Sequence, residues 1–213
     1  MKLRPTKSQL LRLFPDALVL TRGPQRGGVV YLSFDDGPHP EHTPRLLDLL
    51  AAHGSHASFF LVGQRIEQHP RLVERIVAEG HTLGNHSYSH PLFNALSLRQ
   101  QLSEIERTDQ LLQAFDGHAR HRFRPPRGSL SLPLLLHFAR HGRGMAYWSY
   151  NSLDYQPRST DELVRHLRSE PPRAGDIILL HDDNGRACEV LGTLLPEWMA
   201  TGRRSEALPP ERA

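Results

Sequence analysis

The stretch VVYLSFDDGP, residues 29–38, joins the pattern of a buried strand to a pair of acidic residues. Residues 29–34 form a short apolar run that is rich in β-formers and follows two glycines, which predicts a strand. Asp35 and Asp36 stand at the point where that strand ends. Reactive side chains at the carboxyl end of a strand are a pattern that recurs along the rest of the chain.

Strands and helices are predicted to alternate from one end of the chain to the other. Apolar runs predict strands over residues 29–34, 56–62, 81–85, 121–124, 144–148 and 176–180. Helical periodicity predicts helices over residues 44–53, 64–79, 97–115, 131–140, 160–169 and 187–199, the last broken or kinked at Pro196. We expect Thr43 and Thr160 to cap two of these helices and a capping box to begin the helix at Ser97.

This alternation predicts an α/β fold with parallel strands and helices outside them. A small, incomplete (β/α) barrel and a doubly wound open sheet both fit the pattern. The 213 residues are enough for one domain. We expect that domain to span residues 28–200, with a segment 1–27 packed on it or leading into it and a flexible tail over 201–213, where prolines interrupt a mostly polar sequence.

Composition excludes several classes of protein. The net charge is +3, but the basic residues are scattered and aromatic residues make up 7%, which argues against a nucleic-acid-binding face. Cys188 is the single cysteine, so neither an internal disulfide nor a multi-cysteine zinc module is available.

The chain shows no pattern of a membrane span or a signal peptide. No run approaches the ~20 apolar residues of a spanning helix. Near the amino terminus Arg12, Pro15 and Asp16 interrupt every apolar run. We therefore expect a cytoplasmic protein, with peripheral membrane contact through the weakly amphipathic residues 8–14 left open.

Two histidines predict a metal site at the shared edge of the strands. His86 and His90 follow the third predicted strand and are four residues apart, so both imidazoles can reach one ion. A carboxylate from Asp35 or Asp36 would complete a three-ligand site with open positions. Two histidines and one carboxylate suit one divalent ion, zinc first, with cobalt, nickel or iron as alternatives.

The remaining reactive residues suit acid–base chemistry. Neighbouring residues of an extended chain point in different directions, so one aspartate of the pair is expected to bind metal and the other to act as a general base. Arg124 could hold that base by a charge-assisted hydrogen bond. His181 would be the general acid, oriented by Asp154. The set indicates metal-assisted hydrolysis of an amide or ester.

Five motifs in order resemble those of the polysaccharide deacetylase family, the NodB-homology group also called carbohydrate esterase family 4. They are SFDDGP at 33–38, HSYSH at 86–90, RPPRG at 124–128, WSYNSLDY at 148–155 and LLHD at 179–182. The resemblance covers most of the chain, and its first, second and fifth motifs are highly specific. It implies a distorted, incomplete (β/α) barrel.

The resemblance also implies a role for each matched residue. Asp35 would be the base and His181 the acid, tethered by Arg124 and Asp154 respectively. The metal ligands would be Asp36, His86 and His90. The backbone N–H at position 127 would stabilise the oxyanion. The substrate would meet Pro125, Arg127, Tyr155 and Leu179, with Leu179 beside the acyl methyl group.

Three positions depart from the family pattern and bear on the substrate. Arg127 stands where the family usually has tyrosine, Asn151 replaces an aspartate and Tyr155 replaces a tryptophan. We expect N-deacetylation of an amino sugar in a polysaccharide, oligosaccharide or glycan precursor, and Arg127 favours an anionic or lipid-linked one. A deformylase or O-acetyl esterase, and a degenerate protein that binds glycans without turnover, are the alternatives. The sequence does not indicate an oligomeric state.

Overall fold

A computed structural model describes residues 10–211 of the chain. The strands are β1 (Val19–Leu20), β2 (Val29–Asp35), β3 (Ser58–Leu61), β4 (Thr82–Asn85), β5 (Met145–Ala146), β6 (Tyr150–Asn151), β7 (Ile177–His181) and β8 (Arg204–Glu206). The α-helices are α1 (His42–Ala52), α2 (Gly63–Gln68), α3 (Pro70–Ala78), α4 (Leu98–Asp116), α5 (Leu132–Arg140), α6 (Thr160–Ser169) and α7 (Arg186–Ala200).

The strands form a parallel wall that is regular on one side and irregular on the other. On the regular side the order is β4-β3-β2-β7-β6. On the other side, single-residue bridges at Phe123 join β4 to β5, and β5 pairs with β1. The described strands therefore curve into a distorted, incomplete barrel, in which short bridges replace full strands along part of the wall.

Side chains along β2 alternate between the two faces of this wall of strands. Val30, Leu32 and Phe34 pack into the cluster shared with the surrounding helices. Tyr31, one position out of phase, packs with Phe60 in a different cluster. Successive side chains of a strand point to opposite faces. Ser33 and Asp35, which follow Tyr31 at steps of two, therefore point into the barrel.

The predicted cap of α4 is confirmed, and two other predicted helix caps are wrong. Ser97 caps α4 with a complete capping box to Gln100, as expected. The predicted Thr160 cap is wrong by one residue, because Ser159 caps α6. The predicted Thr43 cap is also wrong: α1 begins at His42 after Glu41, with no side-chain cap. The Thr43 hydroxyl bonds elsewhere, as described below.

One predicted helix and one predicted strand are each interrupted in the structure. The helix expected over 64–79 is two helices, α2 and α3, that meet at His69. Pro70 disfavours helical geometry at the residue before it, and His69 has ψ of 52°. The strand expected over 144–148 ends after Ala146, and β6 forms separately. The expected strand over 121–124 is reduced to the bridges at Phe123. By contrast, α7 continues through Pro196.

The carboxyl-terminal segment is ordered where the sequence predicts a flexible tail. Strand β8 pairs in parallel with the first half of β2. Leu208 is 2% exposed. Its backbone N–H donates to Ser58 Oγ at 2.8 Å, and its carbonyl accepts from Thr82 Oγ1 at 3.0 Å. Up to residue 211 the expected tail is therefore part of the packed fold. The expected amphipathic segment at 8–14 begins outside the described residues.

Within residues 10–211 no helix combines the length and the apolar character that crossing a bilayer requires.

Candidate active site

The predicted reactive residues meet around one cavity at the carboxyl ends of the strands. The cavity has a volume of about 350 Å³. Its lining includes Asp35, Asp36, His86, His90, Arg127, Asn151, Tyr155, Leu179 and His181, together with Gly128 and Trp148. Five separated stretches of sequence thus contribute to one site, as the shared edge of parallel strands predicts.

Asp36, His86 and His90 form a compact group of candidate metal ligands. One ligand atom from each lies within 4.8 Å of the others. Asp36 Oδ1 is 3.4 Å from His86 Nε2 and 3.1 Å from His90 Nε2. Asp36 adopts a left-handed backbone conformation with φ of 75°.

The hydrogen bonds around this group fit a divalent cation. His86 Nδ1 donates to the Arg124 carbonyl at 2.8 Å, so its Nε2 carries a lone pair toward the group. Asp36 Oδ1 is buried and accepts no hydrogen bond from the described residues. Burial and the neighbouring His86 lower the pKa of His90, which favours the neutral, ligating form. An orphaned carboxylate oxygen beside two imidazoles is a donor set suited to zinc.

Asp35 is held by a buried arginine inside the barrel. Arg124 Nη1 donates to Asp35 Oδ1 at 2.7 Å, and Arg124 is fully buried. The guanidinium also donates to Ser33 Oγ, Ala146 O and Tyr147 O, and it lies over the Phe60 ring. These contacts hold the guanidinium in place, and Arg124 in turn fixes the orientation of the Asp35 carboxylate.

His181 is oriented by Asp154 through two hydrogen bonds. Its Nδ1 donates to Asp154 Oδ1 at 2.9 Å, and its backbone N–H donates to Asp154 Oδ2 at 2.7 Å. Burial disfavours the imidazolium, but the hydrogen bond and negative charge of Asp154 outweigh it and raise the pKa of His181 to about 9. Because Nδ1 is hydrogen-bonded to Asp154, Nε2 is the ring nitrogen of His181 that can exchange a proton with a ligand.

The predicted substrate residues divide into those that line the cavity and one that does not. Leu179 is 4% exposed at its wall, and Tyr155 is 51% exposed with its ring edge-on to His181. Arg127 lies at the exposed rim with φ of 55°. Pro125 is buried and is not among the residues that line the cavity, so its contact with a substrate stays a prediction.

Four further residues shape the site and were not predicted as site residues. Trp148 and Gly128 line the cavity, and a side chain at Gly128 would meet the Trp148 ring. Ser33 accepts from Arg124, as its in-phase position two residues before Asp35 could have indicated. Asp182 is buried, and burial raises its pKa to about 7 despite the hydrogen bond from Thr43. Its sequence position next to His181 was the available signal.

Known proteins of one family are similar in sequence to this chain. A family model described as polysaccharide deacetylase matches residues 22–145. A peptidoglycan-N-acetylglucosamine deacetylase of Bacillus cereus is 33% identical over 193 residues, covering 88% of this chain and 69% of the relative. A chitooligosaccharide deacetylase of Sinorhizobium fredii is 36% identical over 155 residues, covering 72% and 71%.

The solved structures give the same result for the fold. The crystal structure of the peptidoglycan N-acetylglucosamine deacetylase Bc1960 matches with a TM-score of 0.83 at 31% identity, over 91% of each chain. The distorted (β/α) barrel expected from the five motifs is confirmed, and the open doubly wound sheet is excluded. The family model and the relatives together show that this chain belongs to the polysaccharide deacetylase family of hydrolases.

Proposed function

We propose that this protein is a metal-dependent N-deacetylase that hydrolyses the acetamido group of an N-acetylated amino sugar within a glycan. The observation that carries the proposal is the pair of tethered acid–base groups, Asp35 held by Arg124 and His181 held by Asp154, in one cavity with the Asp36–His86–His90 group. A divalent ion held by that group would supply a Lewis acid that acidifies water and polarises the amide carbonyl.

The chain's own residues provide the proton transfers. Asp35, oriented by Arg124, accepts a proton from the attacking water. His181, whose raised pKa keeps it protonated at neutral pH, donates to the leaving amine. The Arg127 backbone N–H makes no hydrogen bond within residues 10–211 and is available to the oxyanion. Leu179 offers an apolar wall for the acyl methyl group.

The test is acetate release from N-acetylated chitooligosaccharides by the purified protein supplied with zinc or cobalt. We expect release by the wild type and a loss of about 10²–10⁴-fold in Asp35→Asn, because the variant lacks the base. Equal release by wild type and variant would contradict the role of Asp35. No release by a folded, metal-loaded wild type would contradict N-deacetylation of this substrate.

The substrate is proposed to carry a negative charge close to the sugar that is deacetylated. Arg127 is the one arginine or lysine among the described lining residues. Its guanidinium makes no hydrogen bond or ion pair within residues 10–211, so it is free to pair with a ligand. A carboxylate or phosphate on the glycan, including that of a lipid-linked precursor, would satisfy it.

Paired substrates test this part of the proposal. An acetamido oligosaccharide with a carboxylate on a neighbouring sugar is compared with its neutral amide. We expect Arg127→Gln to lower kcat/KM on the carboxylate roughly tenfold and to leave the amide unchanged, as the loss of one charged hydrogen bond predicts. Equal losses on both substrates, or none on either, would contradict an anionic substrate while leaving deacetylation in place.

A further inference from the structure

The loop that follows β2 carries Asp36 and is held from two sides. On one side, the Arg65 guanidinium donates to the Asp36 carbonyl, and the Val62 N–H donates to the Gly37 carbonyl at 2.9 Å. These contacts fix the backbone next to the candidate metal ligand. They leave the second half of the loop, up to the start of α1, to be held by other groups.

A relay of two hydrogen bonds holds the second half of the loop. The His39 backbone N–H donates to Thr43 Oγ1 at 2.7 Å, and the Thr43 hydroxyl donates to Asp182 Oδ2 at 2.7 Å. Thr43 is fully buried and Asp182 is 1% exposed. A hydroxyl has one proton to donate, so the relay runs in one direction, from His39 through Thr43 to the carboxylate.

Asp182 also packs directly against the backbone of the loop. A Cβ added at Gly37 would lie 2.2 Å from Asp182 Oδ2, so a side chain at position 37 would collide with the carboxylate. The Asp182 N–H donates to the Asp35 carbonyl at 3.3 Å. Within residues 10–211 no arginine, lysine or histidine forms an ion pair with Asp182. This buried carboxylate therefore contacts the loop and is not neutralised by a cation.

We propose that Thr43 and Asp182 are positioning residues that fix the conformation of the Asp36 loop and so aim the Asp36 carboxylate at His86 and His90. The inference rests on the metal site of the proposed function. It explains why the Thr43 hydroxyl does not cap α1, and it gives a role to the acid that follows His181. Groups that orient a metal ligand typically change metal affinity when they are removed.

Zinc affinity of the folded protein tests the proposal without relying on turnover. The dissociation constant is measured by competition with a chelator for wild type, Thr43→Val and Thr43→Ser. Thr82→Val is the matched control, since Thr82 Oγ1 donates to the Leu208 carbonyl at the amino end of β4. We expect Thr43→Val to weaken zinc binding roughly 10–100-fold, with Thr43→Ser and Thr82→Val close to wild type.

A second variant covers the case in which Thr43→Val does not fold. Asp182→Ala removes the acceptor of the relay and a buried charge together, so it leaves no stranded carboxylate. We expect it to fold and to weaken zinc binding over the same range. Unchanged zinc affinity in Asp182→Ala, or equal losses in Thr43→Val and Thr82→Val, would overturn the positioning role. A wild type that does not bind zinc would instead overturn the metal site itself.

Discussion

Each of the two predicted acid–base residues in this site is oriented by one neighbouring side chain. Arg124 is buried with every donor group near an acceptor, and it holds Asp35. Asp154 accepts from both the side chain and the backbone of His181. The chemistry of the two predicted acid–base groups therefore depends on residues that never reach the cavity, as their absence from its lining shows.

At this scale we predict that Asp154→Asn lowers the pKa of His181. The carboxylate stabilises the imidazolium, and its removal leaves burial as the main influence, so the pKa should fall by about 1–3 units. The alkaline limb of the kcat–pH profile of acetate release should move to lower pH by a similar amount. The same profile for the control Asp161→Asn, an exposed residue of the first turn of α6, should match that of the wild type.

At the scale of elements, a buried charge network ties α4 to the chain around Phe123. His121 Nε2 lies 3.0 Å from Asp116 Oδ2, and His121 Nδ1 lies 3.4 Å from Asp109 Oδ1. Arg143 donates to Asp109 at 2.7 Å. Burial disfavours a charged His121, but the hydrogen bonds and charges of the two aspartates raise its pKa to about 9.

This network predicts that stability falls as the pH rises. The pKa of His121 in the folded protein lies above its unfolded value of 6.5. The protonated histidine therefore adds stability that is complete below pH 6.5 and is lost as the pH rises through 9. Protonated His121 contributes roughly 3 kcal/mol to the free energy of unfolding. Urea unfolding at pH 6 and pH 9.5 should show this loss in the wild type and a smaller one in His121→Gln. Equal pH dependence in the two proteins would contradict the role of His121.

At the scale of the whole molecule, the carboxyl-terminal segment ties several strands together. Strand β8 pairs with β2, and Leu208 connects β3 and β4 through its backbone groups. Glu211 Oε1 accepts from the Gly144 N–H at 2.6 Å, just before β5. The segment thus joins strands from both the regular and the irregular side of the wall.

Leu208→Ala is predicted to destabilise the fold by about 2–5 kcal/mol, because it leaves a cavity in the buried cluster that Leu208 shares with Tyr31 and Phe60. Leu136→Ala, on a side chain that is 56% exposed, should change the free energy of unfolding by about 0.5 kcal/mol or less. Chemical denaturation of the two variants measures the difference. Similar values for both would mean that the segment behaves as the flexible tail that its composition suggests.

Much of the site could be predicted from the sequence because reactive residues follow strands. The run at 29–34 and the acids after it identify one strand end, and the histidine pair identifies another, although residues 86–90 form a loop with positive φ at Ser87 and His90 and not a helical turn. The capping box at Ser97 was equally visible, since all its partners lie within one helical turn. Such features depend on neighbours in the chain, so local patterns determine them.

Tertiary structure alone decided the features that depend on distant partners. The Thr43 hydroxyl bonds to Asp182, 139 residues away, and so does not act as a helix cap. Residues 204–208 are ordered because β3 pairs only with the second half of β2, which leaves the first half to pair with β8, and because Ser58 Oγ accepts from the Leu208 N–H. Local propensity and spacing act over a few residues, so they are sufficient to specify the alternating elements and the reactive residues at their ends. Which distant donors and acceptors form hydrogen bonds with each other depends on how the barrel closes.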